Sequence, residues 1–213
     1  MKLVLITASI VCMSLGTALI AQNSNADKRE TITMGLKAGL NYANVWDVTG
    51  QDFDSEGRFG FVGGIFFGIP LGEFMGFQPE VLISQKGFQG SGTLFVDHYS
   101  YSKTNTYLDI PLQIQVKPAE YITVVGGIQY SYLLKEKTVY TYGNNSSVQE
   151  EAFNADNIRK NLFGALGGVD GYINDFVVSG RFGWDITANH GDGSSSTPRY
   201  KNRWLQLTLG YRI

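Results

Sequence analysis

The feature that most constrains this chain is a two-residue alternation of apolar and polar side chains that returns eight times between Thr33 and Ile213. It is cleanest in Tyr107–Val116, where Leu108, Ile110, Leu112, Ile114 and Val116 interleave with Tyr107, Asp109, Pro111, Gln113 and Gln115. Successive side chains of a strand point to opposite faces, so each such run has one greasy and one polar face. The same period runs through Thr33–Val45, Arg58–Ile69, Phe77–Gly87, Tyr121–Leu134, Leu162–Ile173, Phe176–Asp185 and Arg203–Ile213. Together these segments predict an all-β chain of eight strands. Long polar stretches (Trp46–Gly57, Gln89–Thr106, Lys135–Asn161 and Thr187–Asn202) follow the first, third, fifth and seventh strands. Short turns (Pro70–Glu73, Lys117–Glu120 and Asn174–Asp175) follow the second, fourth and sixth. The stretch after the fifth strand is expected to be loop, with a helical turn near Glu150–Ala155.

An even strand count, strands of about 10 residues and connections that alternate long and short predict an eight-stranded antiparallel up-and-down transmembrane β-barrel. Its short turns would lie in the periplasm and its long loops outside the cell. Composition agrees: 26 glycines and 13% aromatics with only 5 prolines suit curved sheet. The nearest candidate for a spanning helix, Phe59–Gly72, is interrupted by glycines and Pro70. A formal charge of −2 gives no basic signal for nucleic acid. The sole cysteine, Cys12, lies in an N-terminal apolar run, so no disulfide or cysteine metal site is expected downstream. That run, Leu3–Ile20 after Lys2, reads as a signal peptide over residues 1–21, cut after Ala21. Residues 22–32 then form a periplasmic tail and residues 33–213 the barrel domain.

With the apolar parity turned to lipid, the opposite parity collects Lys37, Arg58, Glu80, Lys86, Asp109, Asp170, Arg181, Asp185 and Arg212. Eight strands leave an interior just wide enough for side chains to fill. These nine are therefore expected to form a structural charge network in the lumen, with Glu80 paired to Lys37, Arg58 or Lys86. The outward parity carries aromatics near strand ends (Tyr42, Trp46, Phe77, Tyr132, Trp184 and Tyr211), where interface girdles sit. A soluble lipocalin-like barrel would reverse the two faces. Pro79 lacks an amide donor and predicts a bulge in the third strand.

Chemistry is sparse. His98 and His190, near Asp97 and Asp192, fall in loop stretches and read as solvent-exposed residues rather than an acid–base pair. Asp52, Asp54, Glu56 and Gly57 imitate the start of a calcium loop, but the twelfth position is Gly63 rather than glutamate. No catalytic residue, metal site or cofactor is predicted.

GLKAGLN, FQPEVLISQKG, YLDIPLQIQV, GGIQYSYLL and the terminal LQLTLGYRI, in that order, resemble the outer-membrane β-barrel domain family that includes the PorT-like proteins of Gram-negative bacteria. The likeness covers Thr33–Ile213 and implies an integral outer-membrane barrel without shared catalytic residues. The partners it implies are outer-membrane lipids, lipopolysaccharide, the barrel-insertion machinery and proteins at the external loops. The expected role is structural or interactive, with the lumen plugged by polar side chains. A narrow pore or small-solute transporter, and a soluble exported barrel for a lipophilic ligand, are the alternatives.

Overall fold

The computed structural model of the chain describes residues 30–47, 55–94, 97–142, 145–152, 159–190 and 199–213. They form nine strands: β1 (Thr33–Asp47), β2 (Glu56–Pro70), β3 (Met75–Leu94), β4 (Asp97–Ala119), β5 (Ile122–Tyr142), β6 (Asn145–Ala152), β7 (Asn161–Ile173), β8 (Phe176–Asp185) and β9 (Tyr200–Arg212). Eight of these close a ring in the order β4-β3-β2-β1-β9-β8-β7-β5, with β4 paired to β5. All neighbours are antiparallel, and β1 seals against β9 from Gly35↔Arg212 to Asp47↔Tyr200. The ninth strand, β6, lies outside the ring and pairs with the far end of β5, Lys135–Tyr142. No helix occurs among the described residues. The predicted eight-stranded antiparallel barrel is the observed one.

The long connections are where the sequence reading falls short. Gln89–Thr106, expected as loop, is mostly strand, because β3 runs on to Leu94 and β4 starts at Asp97. Lys135–Tyr142 and Asn145–Ala152 form a second hairpin, so the helical turn expected near Glu150–Ala155 is strand as far as Ala152. Both hairpins are rich in Tyr, Ser and Thr, residues that suit a strand without marking a greasy face. Once a strand leaves the wall, neither face needs to be apolar, and the alternation that reveals strands disappears. The signal peptide expected at residues 1–21 lies outside the described residues, as do Asp52, Asp54 and Asp192; Glu56 and Gly57 already belong to β2.

Burial is inverted relative to a water-soluble protein. Glu80, Asp109, Asp170, Asn41 and Gln113 are among the most completely buried side chains, whereas Leu36, Leu40, Leu205, Leu207 and Leu209 are each more than half exposed. In water each such leucine would forgo roughly 1.5–3 kcal/mol of burial. The greasy parity of every barrel strand faces outward, as the alternation implied. The inward parity is not purely polar, however: Val62, Phe66, Leu82, Leu166 and Trp204 also point inside.

One irregularity in the β2–β3 pairing moves a residue off its expected face. β2 carries an extra residue between Gly57 and Val62 relative to β3, a bulge that turns the strand there. At Pro79 the expected bulge is absent. Phe66↔Glu80 and Ile69↔Phe77 keep one register, and the ladder to β2 lapses over Gln78 and Pro79. The missing amide is accommodated by skipped pairing instead. The tight turns have their own chemistry: Asn174 adopts φ 55° in the two-residue turn before β8, and Gly72 adopts φ 138° before β3.

Candidate functional site

The inward faces of the strands build the site, and they do so in layers. Nearest the short turns, Lys37 of β1 meets Glu80 of β3 with Nζ 2.6 Å from Oε1. Gln78 donates to the same oxygen at 2.6 Å, and Gln115 of β4 donates in turn to Gln78. On the far wall Arg181 of β8 grips Asp170 of β7 at 2.7 and 2.9 Å through its two terminal nitrogens. Its Nε donates to Gln113 of β4 at 2.9 Å, and its Nη2 lies 3.9 Å from Glu80. This layer therefore joins five strands across the lumen. All four charged groups are no more than 4% exposed.

One layer further up, Lys86 of β3 sits 2.9 Å from Asp109 of β4 and donates to Ser131 of β5 at 3.3 Å. Its ammonium lies 4.1 Å from the ring centroid of Trp204 and 5.0 Å from that of Tyr107. Desolvated cation–π contacts of this kind add about 2 kcal/mol to what the carboxylate supplies. Asn41 donates to Ser84 at 2.9 Å alongside. Asp185 accepts from the side chain of Asn202 and, at 3.2 Å, from its backbone amide.

At the long-loop end Val45, Phe88 and Tyr200 form a buried apolar cluster, with Tyr101 packed against them. Lys103 reaches Glu136 at 2.8 Å beside this cluster.

Seven of the nine expected lumen charges are thus buried inside: Lys37, Glu80, Lys86, Asp109, Asp170, Arg181 and Asp185. Glu80 finds Lys37, as expected, whereas Lys86 belongs to Asp109 in the next layer. Arg58 does not join them. Its guanidinium donates to the hydroxyls of Ser102 and Thr104, which share the outward parity of Thr106 and Leu108. The bulge between Gly57 and Val62 is the cause, since one extra residue reverses the parity count. Gly87, the β3 partner of Thr104, puts no side chain in its path. Arg212 keeps its inward parity but stays at the short-turn mouth, 4.5 Å from the Tyr172 ring centroid and bonded to the Asn174 carbonyl.

The sequence reading overlooked the neutral partners. Gln78, Gln113, Ser131 and Asn202 share the inward parity of the charges they bind, and Gln115 and Asn41 that of the neutral groups beside them; that shared parity was the signal available. Trp204 shares the inward parity of Arg212 on the same strand, and that parity was the signal for it. Of the two histidines, His98 falls within β4 opposite Thr93, and His190 is exposed beyond β8. Among the described residues no group of three or more His, Cys, Asp or Glu is arranged to hold a metal ion.

Among solved structures the chain is similar to Ail, the attachment invasion locus protein of Yersinia pestis. That match has 12% identity and a TM-score of 0.46, covering 85% of this chain and 98% of that one. It is similar also to Neisserial surface protein A, at 12% identity and a TM-score of 0.43 over 86% of this chain and all of the other. OprG of Pseudomonas aeruginosa matches at 11% identity and a TM-score of 0.39, covering 86% and 97% of the two chains. Likeness at this level does not extend to function. No curated protein matches the sequence. The model of the outer membrane protein β-barrel domain matches residues 20–191, most of the chain. The chain belongs to the outer membrane β-barrel domain family.

Proposed function

We propose that this integral outer-membrane barrel acts structurally or through its long-loop end, with a lumen plugged by its own side chains and no catalytic role. The supporting observation is the layer formed by Lys37, Glu80, Gln113, Asp170 and Arg181, which ties five strands across the interior. An ion pair held this far from water is costly to break, about 3–5 kcal/mol when one partner is lost. A permeant ion would have to separate these groups to pass. The apolar cluster of Val45, Phe88 and Tyr200 adds a second barrier at the mouth.

In this reading the signal peptide is removed after Ala21, the short turns face the periplasm and the β3–β4 and β5–β6 hairpins project outside. Outer-membrane lipids, lipopolysaccharide and the insertion machinery are its partners during assembly, and the hairpins present the surface for proteins. Planar-bilayer recording of the purified protein tests the plug. A closed lumen gives no steady conductance, and a reproducible ohmic step in the unaltered protein would favour the pore instead. Protease treatment of intact cells tests the orientation: cleavage confined to the hairpins supports it, and their protection contradicts it.

A further inference from the structure

The outward wall is apolar through its middle, but its two rims differ in charge. At the long-loop rim, β9 turns Lys201 and Arg203 outward beside Trp46 and Trp184, their partners in β1 and β8. On the other side of the ring Lys135 and Lys137 of β5 share the outward face with Thr106 and Thr104, their partners in β4. Arg58 reaches that same face from β2 and donates to Thr104 and Ser102. Thr104 is therefore flanked by Arg58 on one side and Lys137 on the other. Among the described residues Glu56 is an exposed carboxylate near this rim, and Glu150 of β6 is the ladder partner of Lys137. At the short-turn rim the order reverses. Glu30, Glu73 and Glu120 are exposed, and the described cations there, Lys117 and Arg212, lie on the inward parity.

The height of this basic belt matters. From Arg203 to Ile213 is ten steps along β9; at about 3.3 Å each and a tilt of about 40°, that rises roughly 25 Å. That is the height of the apolar band of an outer-membrane barrel, so the cations sit one band-height above the opposite rim, at head-group level. They alternate there with aromatic rings, as lipid-facing anchors do. Hydroxyls between an arginine and a lysine offer a phosphate several charge-assisted hydrogen bonds at once.

We propose that this outward belt, Arg58 with Ser102, Thr104 and Lys137 on one side and Lys201 with Arg203 on the other, binds the phosphate groups of outer-leaflet glycolipid. The choice of leaflet rests on the orientation given above; the recognition of phosphate does not. Lipid A is the partner because it concentrates phosphate at one height under a sugar head group, matching both the cations and the hydroxyl row. The belt holds the barrel at its depth through the head groups, while the lumen layers hold its shape.

The test uses protein purified from membranes and reconstituted in phosphatidylcholine vesicles, titrated with bis-phosphorylated lipid A. The heat-modifiability midpoint on gels is the readout. The unaltered protein gains stability with added lipid A, and the paired variants R58Q/K137Q and K201Q/R203Q each need roughly 25-fold more for the same gain, since each surface cation contributes about a fivefold factor. The charge-keeping pair R58K/K137R titrates close to the unaltered protein. Midpoints in phosphatidylcholine alone separate lost binding from lost folding. Neutral variants that titrate at the same lipid A concentration as the unaltered protein, an equal gain with dephosphorylated lipid A, or an equal gain with phosphatidylglycerol would each overturn the proposal. The vesicle result is independent of the protease result on cells, so a failure of orientation and a failure of phosphate recognition are read separately.

Discussion

Glu80 and Val81 are neighbours in sequence and occupy opposite environments. Glu80 is 2% exposed and bonded to Lys37 and Gln78, whereas Val81 is 40% exposed and touches the surroundings of the barrel. The same contrast repeats at Thr208 and Leu207 on β9, where the inner residue is 2% exposed and the outer one 64%. In a soluble protein the apolar residue supplies the core and the charge faces water. Here bilayer hydrocarbon takes over the role of the core on the outside, and the true interior has to be solved with polar chemistry. Uniqueness of the inner face then comes from matching donors to acceptors, because an unmatched buried charge is far more costly than an imperfectly packed methyl.

The contrast can be broken most severely from inside. Glu80→Ala leaves the buried Lys37 without its bonded carboxylate and removes the second anion near Arg181, so a loss of about 3–5 kcal/mol is expected in urea unfolding from detergent micelles. A loss below about 1 kcal/mol would mean that the layer is wet and loosely coupled. From outside, Leu207→Arg places a charge in the middle of the lipid-facing wall and should cost about 2–4 kcal/mol in bilayers. Moving the same change to Leu205, one step nearer the basic rim, should cost less. An equal cost at both positions would contradict the depth assigned to the wall.

Smaller effects sharpen the comparison. Ser84→Ala removes one of the two acceptors of the Asn41 amide, the Gln85 carbonyl being the other, and should cost about 1 kcal/mol, the usual worth of one such bond. Thr208→Val is expected to be nearly neutral, within about 0.5 kcal/mol, because the buried Thr208 hydroxyl has no hydrogen-bond partner among the described residues. A clear loss at Thr208 would reveal a bound water completing the layer. Both are measured in the same unfolding assay.

Much of this was legible from the chain alone, for a definite physical reason. A lipid-facing strand must be apolar at every second position, so Leu205, Leu207 and Leu209 announce β9 and its outward face together. Most of the lumen charges follow by parity from the same count. The count fails where geometry adds a residue, and Arg58 is the clearest instance: the β2 bulge carries it to the outside. It fails again where a strand leaves the membrane. Tyr101 and Tyr140 pair across the β4–β5 extension, yet nothing in an alternation of Tyr, Ser and Thr distinguishes a projecting strand from a polar loop. Pairing partners inside the lumen were also hidden, since Glu80 could have met any of three cations by parity, and only the shear of the closed sheet sets Lys37 opposite it.

The central claim is that the lumen is a coupled polar core, and a double-mutant cycle on Lys37 and Glu80 tests it most directly. Unfolding free energies are measured for K37M, E80L and the double variant, with Arg181 and Asp170 left to pair with each other. The account predicts a large loss in each single variant and recovery of most of it in the double, a coupling on the order of 1–3 kcal/mol. Losses that simply add in the double variant would contradict it.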